Sequence, residues 1–195
     1  MNYEVWLPIV ISGLSLLASG YTIFISFLAK FNGQIATSNH LSFISLNKVP
    51  SLGISIFLQN DGAKAGRLDD LRLRVSQVDT KTNYIFFPQL MADNYGAFIP
   101  FEKVKWQEFS PIQIQPNSFP FQYILFKPKN DNFYPSKGIM EVQIEVKWST
   151  KKKWKKIKPP MKFTLTDEAA NLWKIPDHQS FSIMSEEAVQ IRGLE

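Results

Sequence analysis

The chain changes its hydrophobic rhythm once. From Trp6 to Ala29 no side chain is charged and Ile, Leu and Phe dominate; past residue 35 apolar residues recur at every second position instead. The first pattern predicts one long helix. At 1.5 Å per residue it reaches about 36 Å, enough to cross a hydrocarbon core of roughly 30 Å. Trp6 at one end, with Lys30 and Phe31 at the other, have the character of interfacial anchors. A cleaved signal peptide would need a basic leader, a shorter apolar core and a small-x-small cleavage site. Met1 to Val5 instead holds Glu4 and no Lys or Arg, the run is too long, and Ala29-Lys30-Phe31 does not supply the site. The expectation is a transmembrane helix within residues 1–30 that stays attached to a domain over residues 31–195.

The second pattern predicts strands. Leu52, Ile54, Ile56 and Leu58 alternate with Gly53, Ser55, Phe57 and Gln59. Leu71, Leu73 and Val75 alternate with Arg72, Arg74 and Ser76, which makes a half-buried strand with a basic outer face. Phe119, Phe121, Tyr123 and Leu125 form another, and Met140, Val142, Ile144, Val146 and Trp148 the most regular one. Weaker strands are expected near Leu41–Leu46, Tyr84–Phe87, Trp106–Ile114, Trp154–Leu165 and Phe181–Met184. Turn signals separate them at Asn60-Asp61-Gly62, Asn130-Asp131-Asn132 and Pro135-Ser136-Lys137-Gly138.

Eight or nine short strands with one buried face each predict an antiparallel sandwich or barrel, and an immunoglobulin-like β-sandwich is the leading form. One short helix is expected after Thr166, with Thr166 as cap, Asp167 and Glu168 in the first turn, and Ala169, Leu172 and Trp173 on its apolar stripe; Pro176 ends it. The stretch Leu58 to Gly62, leading into Leu68-Asp69-Asp70-Leu71, resembles the strand–turn–strand opening of many small bacterial membrane-anchored β-sandwich proteins. A hairpin signal of that generality names no family.

Composition narrows the chemistry. The chain has no cysteine, which excludes disulfides, thiolate metal sites and a cysteine nucleophile. It has no Asn-x-Ser/Thr sequon, so a glycosylated ectodomain is unsupported. His40 and His178 lie at opposite ends of the domain sequence, too few for a metal site. In Asp177-His178, adjacent strand residues would point to opposite faces. Asp69-Asp70 precedes a strand, where turn chemistry accounts for it. Phosphate loops, nucleophile elbows and metal-binding histidine pairs are all missing from the sequence. The expectation is a protein that is not an enzyme and uses no cofactor.

Two features remain for binding. Ser12, Ser15, Ser19, Thr22 and Ser26 follow one another at alternating spacings of three and four, so they share one stripe of the helix, with Gly13 and Gly20 beside it. Small hydroxylated residues allow close helix approach in lipid; alternatively the hydroxyls bond back to carbonyls four residues earlier. The other feature is a basic stretch: Lys147, Trp148, Lys151, Lys152, Lys153, Trp154, Lys155, Lys156 and Lys158, with no acidic residue among them. It reads as a hairpin with a lysine-rich tip. The lysines could discourage edge aggregation, contact anionic lipid with tryptophan at the interface, or bind nucleic acid with Trp148 or Trp154 stacking on bases.

The charge flanks of the helix, none basic before it and Lys30, Lys48 and Lys64 after it, favour a cytoplasmic domain. The sequence therefore predicts a single-pass membrane-anchored β domain that recognises a partner, another membrane or membrane-proximal protein, and acts by assembly at the bilayer. Homo-oligomerisation would run through the helix, and anionic lipid or nucleic acid would meet the basic hairpin. The competing expectation is an effector or accessory subunit whose clustered helix perturbs the bilayer while the β domain senses a ligand.

Overall fold

The computed structural model describes residues 3–46, 49–93, 95, 103–130, 133, 135–157, 159–172 and 180–186. The uninterrupted apolar run folds as expected into a helix, α1 (Tyr3–Ile23), which continues as one π-helical segment, Phe24–Leu28. The amide of Ala29 closes that segment on the carbonyl of Phe24 at 2.8 Å. Trp6–Leu28 is long and apolar enough to cross a membrane, and none of it is buried against the domain.

Alternating residues then build twelve strands: β1 (Gly33–Thr37), β2 (His40–Leu46), β3 (Val49–Asn60), β4 (Gly66–Gln77), β5 (Thr82–Ala92), β6 (Gln107–Glu108), β7 (Ile112–Ile114), β8 (Phe121–Pro128), β9 (Gly138–Trp148), β10 (Lys155–Lys156), β11 (Met161–Leu165) and β12 (Ser180–Met184). A short helix, α2 (Asp167–Leu172), follows β11. Its cap is the expected one: the Thr166 hydroxyl accepts from the amide of Ala169 at 3.2 Å. Trp173, Pro176, Asp177, His178 and Lys158 lie outside the described residues, as do Lys48 and the Asp131-Asn132 part of one expected turn.

All twelve strands join one antiparallel sheet, in the order β10-β9-β4-β5-β8-β3-β2-β12. Four short strands extend it: β1 on β3, β7 on β4, β6 on β5 and β11 on β9. β1 and β2 lie in line along the same edge of β3, against Ile56–Asn60 and Val49–Gly53 respectively. The sheet curls around its own apolar face. Leu52, Ile54 and Phe126 from one wall and Leu73, Val75, Val142 and Ile144 from the other meet in a single core. The fold is thus mainly β with a curled antiparallel sheet.

The alternating set Phe121, Tyr123 and Leu125 expected in one strand does not face the main core, which Ile124 and Phe126 join; it lies in a second, smaller cluster on the outer face of β2, β3 and β8. Ile44, Tyr123 and Leu125 are buried there under Leu90, Tyr95, Trp106 and Phe121. Tyr95 stacks on Tyr123 at 3.8 Å between centroids. The Tyr123 hydroxyl fills the space where a side chain at Gly53 would begin: a Cβ there would lie 1.9 Å from it. Trp106, expected in a strand, is instead part of this cover, and Phe119 lies just before β8 in an exposed loop.

Candidate functional site

The chain leaves α1 directly into the sheet. Phe31 sits edge-on to Trp148, with centroids 5.3 Å apart, in a cradle left by Gly33 and Gly66; a Cβ on either glycine would meet the Phe31 ring within 2.4 Å. The turn after β3 grips the same segment. Ala63 N–H donates to the Ala29 carbonyl at 3.2 Å, Asp61 N–H to the Asn32 carbonyl at 3.2 Å, and the Asn60 side chain accepts from Asn32 N–H at 3.3 Å. The exit of the helix is therefore fixed to one end of the sheet.

Register determines what else lies at that end. β9 pairs with β4 so that Trp148 meets Leu68, and β7 pairs so that Ile114 meets Gly66. The β9–β10 turn, the turn after β3 and the loop between β7 and β8 consequently share the end where α1 enters. Lys30, Lys64, Arg67, Lys151, Lys152, Lys153, Lys155 and Lys156 are all exposed there. Of their acidic neighbours, Asp69 is tied to Arg67 at 2.6 Å, and Asp61 accepts from Gln34 and Gln59. Phe119, 67% exposed, stands in the same group of loops, and Phe57 and Phe121 pair beside it with centroids 5.0 Å apart.

The hairpin expected from sequence forms, with Lys155 opposite Val146 and Lys156 opposite Glu145. Its tryptophans are placed differently from the base-stacking expectation. Trp148 is 3% exposed and belongs to the core, where the parity it shares with Met140 through Val146 puts it. Trp154 is half-buried with the Arg72 guanidinium over its ring at 4.3 Å. Arg72 also donates to Glu145 at 2.6 Å, and Arg74 lies 3.4 Å from the same carboxylate.

Burial pushes the Glu145 carboxyl up, but the hydrogen bonds from Arg72 and Arg74 outweigh it and hold the group below the usual carboxylate range. The basic outer face read from Arg72 and Arg74 is thus a clamp that seats the hairpin, and the hairpin cations without a carboxylate partner among the described residues are Lys151, Lys152, Lys153, Lys155 and Lys156. A group whose folded pKa is depressed contributes stability above its unfolded value, about 4.3, and loses it as pH falls through the folded value. Glu145→Gln is therefore expected to cost about 1–3 kcal/mol at pH 7. The gap from the parent in urea midpoints should close below about pH 4; a gap independent of pH would remove the ion-pair explanation.

The two edges of the curled sheet face each other beside this hairpin. β1 on one side and β10 with Ile157 on the other line a cleft of about 500 Å³. Side chains bridge the seam at its ends: Trp148 reaches Gly33, and the Thr37 hydroxyl lies 3.8 Å from the Met161 sulfur.

The remaining sequence candidates stay apart. His40 is exposed at the start of β2. Asp69 is engaged by Arg67, and Asp70 accepts from the amide of Leu71 at 2.8 Å, with burial raising its pKa. Among the described residues, no group of three or more His, Asp and Glu side chains is placed to hold a metal ion. On α1, the Ser19 hydroxyl donates to the Ser15 carbonyl at 2.8 Å and Thr22 to the Ala18 carbonyl at 2.9 Å. Two hydroxyls of the stripe therefore bond within their own helix. Ser12 and Ser15 lie in its α-helical part and Ser26 in the π-helical segment.

No protein-family model matches the chain, and neither does any curated protein. Among solved structures, a family 123 glycoside hydrolase from Clostridium perfringens is similar over 70% of this chain and 27% of its own, at 12% identity and a TM-score of 0.34. The chain thus spans about a quarter of that enzyme's length, and a superposition this loose carries no argument about activity.

Proposed function

We propose that this is a non-enzymatic, single-pass membrane protein whose β domain recognises a partner and acts by assembly at the bilayer, with its lysine-rich end against anionic lipid headgroups. The observation that carries the reading is the common location of the helix exit and the lysines. A helix with Leu, Ile and Phe exposed on every face has no place in water. Once it is in a bilayer, the loops at its exit meet the headgroups first. Lysines there attract anionic lipid, and Phe119 suits the interface as the buried Trp148 does not.

The domain keeps a two-layer, immunoglobulin-like reading, its β2–β3–β8 wall facing its β4–β9–β11 wall across the core. The cytoplasmic side, where anionic lipids concentrate, follows from the same basic surface. The hydroxyl stripe of α1 supplies helix association, Ser12, Ser15 and Ser26 being its members whose hydroxyls make no bond within the helix among those described. The competing reading, a bilayer-perturbing helix governed by a ligand-sensing domain, draws on that stripe alone.

Topology tests the proposal. The chain has no native cysteine, so a Lys152→Cys variant is a clean reporter for a membrane-impermeant thiol reagent. The expected result is no labelling on intact cells and full labelling after lysis. Labelling on intact cells would place the basic end outside and end the proposal in this form.

A further inference from the structure

We propose that the cleft between β1 and β10 is a strand-addition site for an extended, acidic segment of a partner protein. The parity of β1 is set by its bonds to β3. Asn32 and Ser38 face that strand, since the Asn32 carbonyl accepts from Asp61 and Ser38 N–H donates to the Ser55 carbonyl at 3.0 Å. In an antiparallel ladder alternate residues turn their N–H and C=O groups the other way. Gly33, Ile35 and Thr37 therefore turn theirs toward the seam, and no strand among the described residues pairs with that edge.

The facing edge repeats the situation. Ile157 N–H donates to the Ile144 carbonyl at 2.9 Å, so the next residue of opposite parity, Lys156, turns its backbone outward to the cleft. Two unsatisfied edges flanking a cleft are the complement of one extended chain, which can bond to both. The walls also select its side chains. Ile35 and Ile157 pack on the core at the floor, while Lys155 and Lys156 are exposed at the rim and no carboxylate lines the cleft. The fitting segment alternates apolar residues inward with Glu or Asp outward.

This gives the recognition role proposed above its partner chemistry. It rests on that reading's use of the basic hairpin as a contact surface, but needs neither a bilayer nor lipid charge. The test accordingly uses the full chain in neutral detergent micelles and a fluorescent, capped Glu-Val-Glu-Val-Glu-Val-Glu peptide, followed by anisotropy.

The peptide is expected to bind, and N-methylation of alternate residues should weaken it by roughly tenfold through the lost main-chain bonds. Lys155→Glu with Lys156→Glu should weaken it at least comparably, while Lys151→Glu with Lys152→Glu at the tip has a smaller effect. Since the N-methyl comparison uses the unaltered protein, it stands even if a variant misfolds. Equal binding of the N-methylated peptide, or equal competition by inorganic polyphosphate, would reveal a plain polyanion surface and overturn the proposal. So would failure of the unmodified peptide to bind. A peptide result of either sign leaves the thiol-labelling outcome untouched, so the two readings fail separately.

Discussion

Gly53→Ala is expected to destabilise the domain by about 3 kcal/mol, which for a chain of this size lowers the thermal midpoint by roughly 6–12 °C. The added methyl group would occupy the space of the Tyr123 hydroxyl. Tyr123 has little room to yield: it is 3% exposed, stacked on Tyr95 and flanked by Trp106 at 6.0 Å. Any displacement opens the outer cluster, and burial has already pushed its phenol well above the usual range, so ionisation offers no relief.

The second half of the experiment is a double-mutant cycle. Tyr123→Leu removes the clashing atoms at the expense of the stack, so in its presence Gly53→Ala should cost much less. A coupling of at least about 1 kcal/mol in urea denaturation is expected. If the two costs simply add, the close approach of Gly53 and Tyr123 is not what limits the site.

Replacing Lys151, Lys152 and Lys153 by glutamate is expected to release the hairpin from an anionic surface by a factor of about 100 or more. Each lysine near such a surface is worth roughly 1 kcal/mol, and about 1.4 kcal/mol is tenfold. Because α1 tethers the domain, the quantity to measure is the fraction of time the tip is docked, not partitioning of the whole protein. A spin label at Thr150→Cys, in nanodiscs with and without phosphatidylserine, reports it through relaxation by a nickel-chelating lipid. The parent should show strong relaxation that fades in high salt, and the triple variant almost none. Relaxation that ignores both lipid charge and the substitutions would mean that the lysines do not hold the tip at the headgroups.

How much of this was legible before the structure depends on the residues. β3, β4 and β9 could be read because long runs of alternate apolar residues leave only one way to face a core. β1 was not anticipated: within Gly33–Thr37 only Ile35 is strongly apolar, and the segment becomes a strand because β3 supplies its partner. The stretch from Trp154 to Leu165 forms two short strands, β10 and β11, with Pro159 and Pro160 between them, since proline cannot donate to the ladder. Trp148 shares the inward parity of Met140, Val142, Ile144 and Val146, and that parity, not the neighbouring lysine run, decides its burial. The basic hairpin itself was visible as composition. Its place beside the helix exit was not, because that depends on Phe31 meeting Trp148 and on Ala29 meeting Ala63, contacts that no local pattern encodes.

The order of the sheet also governs how the domain can be made. β4 must wait for β9 and β3 for β8, and the edge of β2 that does not pair with β3 waits for β12, where the hydroxyls of Ser42 and Ser182 meet at 2.9 Å across most of the chain. Pairings this distant in sequence fold slowly, since the loop must close before the contact rewards it. During synthesis α1 leaves the ribosome before the sheet, while the early strands wait with bare edges for partners still to be translated. A protein built in this order needs those edges kept apart from one another meanwhile, and the charges Arg67, Asp69, Asp70, Arg72 and Arg74 are spaced along β4, one edge of which stays open until β9 is made.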